Sequence, residues 1–352
     1  MSSSPCEACP KERFNAMFMI PRFPATSKSR SPKRIAVLTS GGDAPGMNAA
    51  IRAVVRTTIA LGSESMGIQR GYAGLLEGLV HPMVPASVAN IIQRGGTILR
   101  TSRCPEFMKP QGRKKAIAIL KQHGIEGLVV IGGDGSFRGA KLLHEESGIP
   151  VMGIPGTIDN DISGTDDTIG FDTAVNTGVQ LIDKIRDTAS SHDRIFLVEV
   201  MGRHSGMIAL HTGIGGGAES IIVPEVKTSV KSICDSIERG IRRGKTSSII
   251  VVAEGCQFGG VGPLSKELET LGYSTKVAIL GHTQRGGSPS SHDRLLASTL
   301  GAVSVHALLS GVKEGMVGVQ GRQVSVVSFK KITRKASELP KELLEVAKNL
   351  AV

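Results

Sequence analysis

The sequence contains no tryptophan, and aromatic residues make up only 3% of its 352 positions. Proteins that bind single-stranded nucleic acid stack bases on aromatic side chains, so this composition argues against a nucleic-acid partner. No apolar run approaches the roughly eighteen residues that a membrane-spanning helix needs. We therefore expect a cytoplasmic protein that binds neither nucleic acid nor a membrane.

Cysteine is also scarce, with five residues in the whole chain. Cys6 and Cys9 form a single C-x-x-C motif with no second pair or nearby histidine to complete a zinc site. Cys104, Cys234 and Cys256 are scattered. Because the number is odd and the spacing irregular, the sequence predicts reduced thiols rather than a disulfide framework.

Residues 1–34 carry seven basic and two acidic side chains, within a net charge of +11 for the chain. This segment is rich in serine and proline and lacks the apolar stretch of a secretory signal. Its basic character permits an organelle transit peptide, although Glu7 and Glu12 argue against one. We expect residues 1–33 to be a disordered basic extension. The basic balance of the rest favours anionic small molecules as ligands.

From residue 34 onward, short apolar runs alternate with amphipathic helical patterns, which is typical of a parallel, doubly wound α/β sheet. There are too many strands for one small unit, so two packed α/β domains are expected. The predicted strands are Arg34–Leu38, Leu128–Ile131, Val151–Ile154, Ile195–Val200, Ser220–Val223, Ser248–Ala253, Val277–Leu280 and Val324–Phe329. The clearest predicted helices are Met47–Leu61, Lys114–His123, Asp172–Thr188, Ser229–Arg243 and His292–Leu309.

Acidic residues follow two of these strands at their carboxyl ends, where open α/β sheets bind ligands. The strand that ends at Ile131 leads into Gly132-Gly133-Asp134-Gly135-Ser136. Another leads into Pro155-Gly156-Thr157-Ile158-Asp159-Asn160-Asp161. Glycines let a backbone approach phosphates, and a neighbouring aspartate can hold Mg²⁺. The pattern indicates a kinase with one carboxylate on the metal and another on the acceptor hydroxyl.

Two further glycine-bearing segments have different interpretations. Residues 39–48 connect the first strand to the first helix, where backbone N–H groups favour a nucleotide phosphate. The segment Gly240–Thr246 looks like a P-loop, but it has one residue too few between its glycines and follows a helix. We interpret it as a basic turn.

Five long motifs, in order, resemble the ATP-dependent, bacterial-type phosphofructokinase family: LTSGGDAPGMNAAIR, IGGDGS, GTIDNDISGTD, VEVMGR and GHTQRGGSPSSHDR. The resemblance runs from about Lys33 to Phe329. It implies two Rossmann-like domains with mostly parallel sheets and an active site in the cleft between them. Residues 34–169 plus 282–331 would bind ATP, and residues 170–281 plus 332–352 would bind fructose 6-phosphate. It also implies Mg²⁺ and a homotetramer with shared active sites.

The resemblance assigns a role to each matching residue. Asp159 would be the base at the sugar C1 hydroxyl, with Thr157 and Asp161 in support, and Arg203 would neutralise charge. Asp134 would hold Mg²⁺. The nucleotide site would comprise Gly41, Tyr72, Arg103, Cys104, Gly133, Asp134, Gly135, Ser136 and Gly139. The sugar phosphate would contact Thr157, Ile158, Asp159, Met201, Gly202, Arg203, Glu254, His282 and Arg285, with Arg194 and Lys276 from a neighbouring subunit.

Two glycines indicate the phosphoryl donor. Pyrophosphate-dependent relatives tend to have aspartate in place of Gly135 and lysine in place of Gly156. An aspartate at this first position would crowd and repel the α-phosphate of ATP, whereas glycine leaves room. Both positions favour ATP.

Some positions depart from the family pattern. Lys276 replaces an arginine and so loses the planar fork that suits a phosphate. A regulatory effector site is matched at Arg52, Arg56, Arg186, Glu219, Arg243 and Lys245. The polar or basic residues expected there are replaced at Pro85, Asn90, Thr246 and Ser247, so altered or weak regulation by nucleoside diphosphate and phosphoenolpyruvate is expected.

Three alternatives compete with this interpretation. Lipid and NAD kinases also use a GGDG loop, but the TIDND and QRGG segments argue against them. A pyrophosphate-dependent enzyme is disfavoured by the two glycines. A non-catalytic regulatory paralogue would have lost Asp134 or Asp159, and both are present.

Overall fold

The computed structural model describes residues 18–21, 32–189, 194–332 and 339–350. The strands are β1 (Arg34–Ser40), β2 (Glu64–Ile68), β3 (Val80–Met83), β4 (Gly127–Gly132), β5 (Val151–Pro155), β6 (Ile195–Val200), β7 (Ser220–Ile222), β8 (Ser248–Ala253), β9 (Thr275–Ile279), β10 (Glu314–Gln320) and β11 (Gln323–Val327). The α-helices are α1 (Met47–Ala60), α2 (Gly71–Glu77), α3 (Pro110–Gln122), α4 (Asp134–Ser147), α5 (Phe171–Ala189), α6 (Met207–Gly215), α7 (Val230–Arg242), α8 (Val261–Thr270), α9 (Ser291–Leu309) and α10 (Lys341–Leu350).

The larger sheet has seven strands in the order β11-β10-β5-β4-β1-β2-β3. The five strands from β10 to β2 are parallel, and β11 and β3 are antiparallel at the two edges. The chain leaves β1 for β2 on one side and returns to β4 on the other. This reversal opens a crevice at the carboxyl ends of β1 and β4, the place where such sheets bind ligands.

The smaller sheet has four parallel strands in the order β7-β8-β6-β9. Val200 of β6 is in register with Ala253 of β8, so the residues that follow these strands meet at one edge. Both sheets are mostly parallel and are covered by helices, as the sequence predicted. The division into two domains at residues 169, 281 and 331 stays a prediction.

Central strands are buried on both faces because helices cover the sheets on each side. All six residues of β4 and all six of β8 are buried. One continuous apolar core includes Val37 and Val129 of the larger sheet and Val198 and Val251 of the smaller sheet. Buried side chains from both sheets therefore belong to one core.

The extension predicted to be disordered lies mostly outside the described residues, as do Cys6 and Cys9. Residues 18–21 differ from that expectation. The Met19 N–H donates to the Arg322 carbonyl at 2.8 Å, and the Val324 N–H donates to the Met19 carbonyl at 3.0 Å. These bonds add a short parallel bridge to the outer edge of β11.

The sequence predicted no membrane-spanning segment. Among the described residues, no helix is both long and apolar enough to cross a membrane.

Candidate active site

A cavity of about 610 Å³ lies at the carboxyl ends of β1, β4 and β5. It brings together most of the site residues predicted from sequence. The predicted residues that line it are Gly41, Tyr72, Arg103, Cys104, Gly133, Asp134, Gly135, Ser136, Gly139, Thr157, Asp159, Asp161, Arg203 and Arg285. Its remaining walls come from Ser40, Gly42, Ser102, Pro105, Phe107, Met108, Arg138 and Gly156. Ser40 and Gly42 belong to the segment predicted to bind a nucleotide phosphate, and Gly156 belongs to the loop that carries Asp159, whereas the other five were not predicted as site residues.

Helix α4 begins at Asp134, directly after β4, so its amino end faces the cavity. Backbone N–H groups at a helix amino terminus favour anions, and Gly133 lets a phosphate approach them. The Asp134 side chain is 17% exposed and forms an ion pair with Arg138 in the next turn. The start of α4 can therefore hold both a phosphate and, through Asp134, a cation.

An aromatic stack forms the wall beside α4. The rings of Tyr72 and Phe107 lie 3.9 Å apart and nearly parallel. The Tyr72 hydroxyl donates to the Ser136 carbonyl at 2.8 Å, and burial raises the pKa of this phenol. A Cβ at Gly139 would lie only 3.0 Å from the Phe107 ring. Glycine at this position therefore lets α4 pack directly on the stack.

Asp159 is the most buried carboxylate in the cavity, at 3% exposure. Its Oδ2 lies 3.7 Å from Nε of Arg203, and its Oδ1 has no hydrogen-bond partner among the described residues. Burial raises the pKa of Asp159, as do the charges of Asp161 and Glu254, while Arg285 and Arg203 oppose the rise. A buried carboxylate with a free oxygen and a raised pKa is suited to accept a proton.

The loop after β5 holds Asp159 by several local bonds. The Asp159 N–H donates to Oγ1 of Thr157 at 3.3 Å, and the Thr168 hydroxyl donates to the Thr157 carbonyl at 2.7 Å. Asn160 adopts a left-handed φ of 46° and donates from Nδ2 to the Asp166 carbonyl at 3.1 Å. Asparagine tolerates this conformation better than most residues. The two acidic residues on either side of Asn160 therefore belong to a fixed turn.

Glu254 positions Arg203 through the backbone. The N–H groups of Gly202 and Arg203 donate to Oε1 of Glu254 at 3.3 and 2.8 Å. Arg203 has a left-handed φ of 53°. Oε1 of Glu254 therefore holds the turn that presents the Arg203 guanidinium. The role of Glu254 as a ligand of the sugar stays a prediction.

Gln284 is a supporting residue that the sequence analysis missed. It is fully buried, accepts from the Met201 N–H at 2.8 Å and donates to the Ala174 carbonyl at 3.2 Å. These bonds tie the turn that carries His282 and Arg285 to the end of β6. The sequence did not reveal this role of Gln284, the first residue of the QRGG segment. Its two hydrogen-bond partners lie about 80 and 110 residues away in the sequence.

Asp293 anchors the far end of the loop that carries Asp159. This fully buried carboxylate accepts from the N–H groups of Gly170 and Thr173 and from the Thr173 hydroxyl at the start of α5. Burial raises its pKa to about 6 despite these three bonds. Asp293 thus caps α5 from a distant helix.

Asp293→Ala is expected to lower the free energy of unfolding by about 2–4 kcal/mol, since it leaves two buried N–H groups unpaired. Urea denaturation measures this change. The matched control is Asp235→Ala, which removes a carboxylate from an exposed position on α7. Equal stability of the two variants would contradict the capping role.

The sequence profile of the family described as "Phosphofructokinase" matches residues 34–308. The chain belongs to the phosphofructokinase family. It is similar to ATP-dependent 6-phosphofructokinase 1 of Thermus thermophilus, with 56% identity over 321 residues that cover 91% of this chain and all of the relative. ATP-dependent 6-phosphofructokinase of Macrococcus caseolyticus is 54% identical with the same coverage.

Solved phosphofructokinase structures have the same fold. The Saccharomyces cerevisiae phosphofructokinase structure superposes with a TM-score of 0.81 at 38% identity. The match covers 91% of this chain and 47% of the yeast chain, so the chain spans about half of that relative's length.

Two predicted substrate residues lie away from the cavity. Arg194 precedes β6, and Lys276 pairs with Phe196 near the start of β9. Met201 and Glu254 follow the other ends of β6 and β8. Because a strand rises about 3.3 Å per residue, the six residues of β6 separate the two ends by about 20 Å. Arg194 and Lys276 therefore do not line the cavity of their own chain.

Five other predicted substrate residues are also absent from the cavity lining: Ile158, Met201, Gly202, Glu254 and His282. Ile158 is fully buried in the apolar core, so its side chain cannot contact a sugar. Met201 is 8% exposed. Both side chains belong to the main apolar core, and the contact of Met201 with the sugar stays a prediction.

The predicted effector residues divide between two regions of the chain. Arg186 donates to the carbonyls of Gly216 and Gly217, while Glu219 pairs with Lys245 at 3.3 Å. Arg243 follows α7. Arg52 and Arg56 lie on α1, which packs beside the larger sheet. Their function as an effector site stays a prediction.

Proposed function

We propose that the chain is an ATP-dependent 6-phosphofructokinase, which transfers the γ-phosphoryl group of ATP to the C1 hydroxyl of fructose 6-phosphate. The products are fructose 1,6-bisphosphate and ADP, as in glycolysis. The observation that carries the proposal is the arrangement of Asp159. Its free buried oxygen shares a cavity with the amino end of α4, so an acceptor hydroxyl and a donor phosphate would meet there.

In phosphoryl transfer most of the catalysis comes from positioning and charge neutralisation. Asp159 would accept the proton of the C1 hydroxyl. The guanidinium groups of Arg203 and Arg285 reach the same cavity and would neutralise phosphate charge. A carboxylate oriented in this way typically contributes about 10²–10⁴ in rate.

Asp134 would hold a Mg²⁺ ion together with phosphate oxygens. Among the described residues, no group of three or more His, Cys, Asp or Glu side chains could hold a metal by itself. Mg²⁺ in phosphoryl-transfer sites binds one or two carboxylates, water and substrate phosphates, so one aspartate beside a phosphate site fits this ion. When bound, it supplies charge neutralisation.

The decisive test of the proposal is fructose 1,6-bisphosphate formation by the purified chain with Mg²⁺, comparing ATP with pyrophosphate. Turnover with ATP alone is expected. Turnover with pyrophosphate would support the pyrophosphate-dependent alternative. A chain that binds nucleotide without turnover would be the regulatory paralogue.

The pH dependence of kcat is expected to report Asp159. Asp159 can act as a base only when it is deprotonated. Because its pKa is raised, kcat should fall at a higher pH during acidification than it would with an ordinary aspartate. Asp161→Asn removes a negative neighbour that raises this pKa. The midpoint of the acid limb should then move to lower pH. A pH profile of kcat measures the shift, and movement to higher pH would contradict the assignment.

We also propose a homotetramer in which Arg194 and Lys276 complete a neighbour's site. Strand β9 lies at the edge of the smaller sheet and exposes Val277 and Ile279, at 43% and 63%. An exposed apolar edge is suited to contact another subunit.

Mixing variants tests the shared site. Arg194→Ala is expected to raise KM for fructose 6-phosphate. Mixed oligomers of Arg194→Ala and Asp159→Asn subunits should regain activity, because some sites then combine an intact Asp159 with an intact Arg194. Mixed oligomers verified by mass spectrometry that show no recovery would exclude sharing.

A further inference from the structure

Residues 18–21 lie against the part of the molecule that holds the Asp159 turn. The described segment joins the β10–β11 hairpin through the two hydrogen bonds of Met19. The family profile begins only at residue 34, so this contact is an addition to the part of the chain shared with the family.

A continuous set of hydrogen bonds leads from this hairpin to the candidate base. The Gly321 N–H donates to Oδ2 of Asp166 at 2.6 Å, and the Asp166 N–H donates to the Val319 carbonyl at 2.7 Å. The Asp166 carbonyl in turn accepts from Nδ2 of Asn160 at 3.1 Å. Asn160 stands between Asp159 and Asp161, so the hairpin fixes the turn that presents both carboxylates.

Phe18 contacts the same region from a second side. Its ring meets that of His292 edge to face at 6.2 Å, and it packs against the main apolar core. His292 bonds through Nε2 to Asp167, the neighbour of Asp166. Residues 18–21 therefore support the turn at Asp166 and Asp167 through the hairpin and through His292.

We propose that residues 18–21 act as a strap that positions Asp159 and Asp161, by holding the β10–β11 hairpin and His292 against the turn at residues 165–167. Phe18 and Met19 are positioning residues, and they act through other groups. The role rests on the proposed kinase function. In the proposed reaction the contacts with ATP would come mainly from the ends of β1 and β4, so the strap would influence the acceptor side.

Three variants of the full chain test the strap. Phe18→Ala removes the ring against His292, and Met19→Pro removes the N–H that bonds to Arg322. Ile20→Ala is the matched control, because that side chain is 59% exposed. Mutations along a network that couples two parts of a protein typically change the coupling by an amount equivalent to about 2- to 30-fold in rate. We expect kcat to fall by that factor in the first two variants, with KM for ATP changed by less than about twofold. Phe18→Tyr, which keeps the ring, should restore kcat.

Amide hydrogen exchange supplies a second measurement that does not require activity. Peptides covering residues 159–170 and 316–327 should exchange faster in Phe18→Ala and Met19→Pro than in the parent chain or Ile20→Ala. An inactive parent chain would refute the proposed function, while exchange would still test the strap. The strap would be overturned if both kcat and amide exchange were unchanged in Phe18→Ala and Met19→Pro. It would also be overturned if Ile20→Ala lost as much kcat as these two variants, or if their KM for ATP rose in parallel with the loss of kcat.

Discussion

Asp159→Asn is expected to lower kcat by about 10²–10⁴-fold, the usual contribution of a positioned general base. KM for ATP and for fructose 6-phosphate should change by no more than about threefold, because asparagine has nearly the same shape and keeps an oxygen in the cavity. The amide cannot accept the proton of the C1 hydroxyl at neutral pH. Steady-state kinetics with saturating Mg²⁺ and ATP measure the effect.

The environment of Asp159 makes this variant informative. Its Oδ1 has no partner among the described residues, so the substitution breaks no bond of that oxygen. Its Oδ2 loses the attraction of Arg203 at 3.7 Å. The large loss should therefore appear in kcat rather than in stability. Thermal unfolding of the variant is the control for the fold.

A second aspartate on the same connection serves as the matched control. Asp172 lies in the first turn of α5 and does not line the cavity. Asp172→Asn removes the same charge from the same connection, and kcat should stay within about threefold of the parent. Full activity in Asp159→Asn, or an equal loss in both variants, would contradict the assignment of Asp159 as the base.

The sequence predicted the buried parallel strands well because they are short apolar runs. The strand predicted at Leu128–Ile131 corresponds to β4, and that at Ser248–Ala253 is β8 with the same bounds. Both are buried on two faces, where apolar residues are strongly favoured. The apolar composition that burial requires is therefore enough to predict these two strands from the sequence.

Three strands were missed because their sequences carry the signals of turns. Strand β2 has the sequence ESMGI, β3 contains Pro82, and β10 contains Gly315 and Gly318. Proline is acceptable in β3 because that strand lies at the edge of the sheet. Neighbouring strands stabilise all three by pairing, which local sequence does not record.

Helix α4 was missed for a related reason. Its first three residues, Asp134, Gly135 and Ser136, have the composition of a loop. The same residues are the ones that let a helix amino terminus approach a phosphate. The functional demand on this segment thus outweighs its helix propensity.

The acidic residues of the site could be predicted, but the contacts that hold them could not. Asp134 and Asp159 each follow a buried strand, so strand ends revealed them. The stack of Tyr72 on Phe107, the bonds of Gln284 and the cap by Asp293 join residues that are distant along the chain. These contacts depend on how helices pack, which periodicity does not specify.

The choice of phosphoryl donor is expected to depend on Gly135. A Cβ added at this position meets nothing within 4 Å, so the folded chain has room for an aspartate side chain there. The carboxylate introduced by Gly135→Asp would lie in the first turn of α4, where a negative charge is favourable to the helix. The Gly135→Asp protein should therefore fold normally, and any loss must come from its effect on the nucleotide.

Gly156 is a poorer position for this test. A Cβ there would lie 3.0 Å from Cε of Met47 and 3.2 Å from Cγ2 of Ile131. A lysine in place of Gly156 would disturb this packing, so loss of activity would not separate donor choice from damage to the core. Packing alone is a sufficient reason for glycine at this position, whereas the open space at Gly135 points to the nucleotide.

Gly135→Asp should raise KM for ATP by about 10²-fold. Two negative charges about 4 Å apart repel by about 4 kcal/mol in a partly solvated site, and relaxation reduces this to roughly 3 kcal/mol. Gly135→Ala adds volume without charge and should change KM by less than about fivefold. KM for fructose 6-phosphate should stay unchanged in both variants, because Gly135 lies on α4 and the acceptor base lies on the loop after β5. An unchanged KM for ATP in Gly135→Asp would show that the phosphates of ATP do not bind next to residue 135. Glycine at this position would then not indicate ATP as the phosphoryl donor.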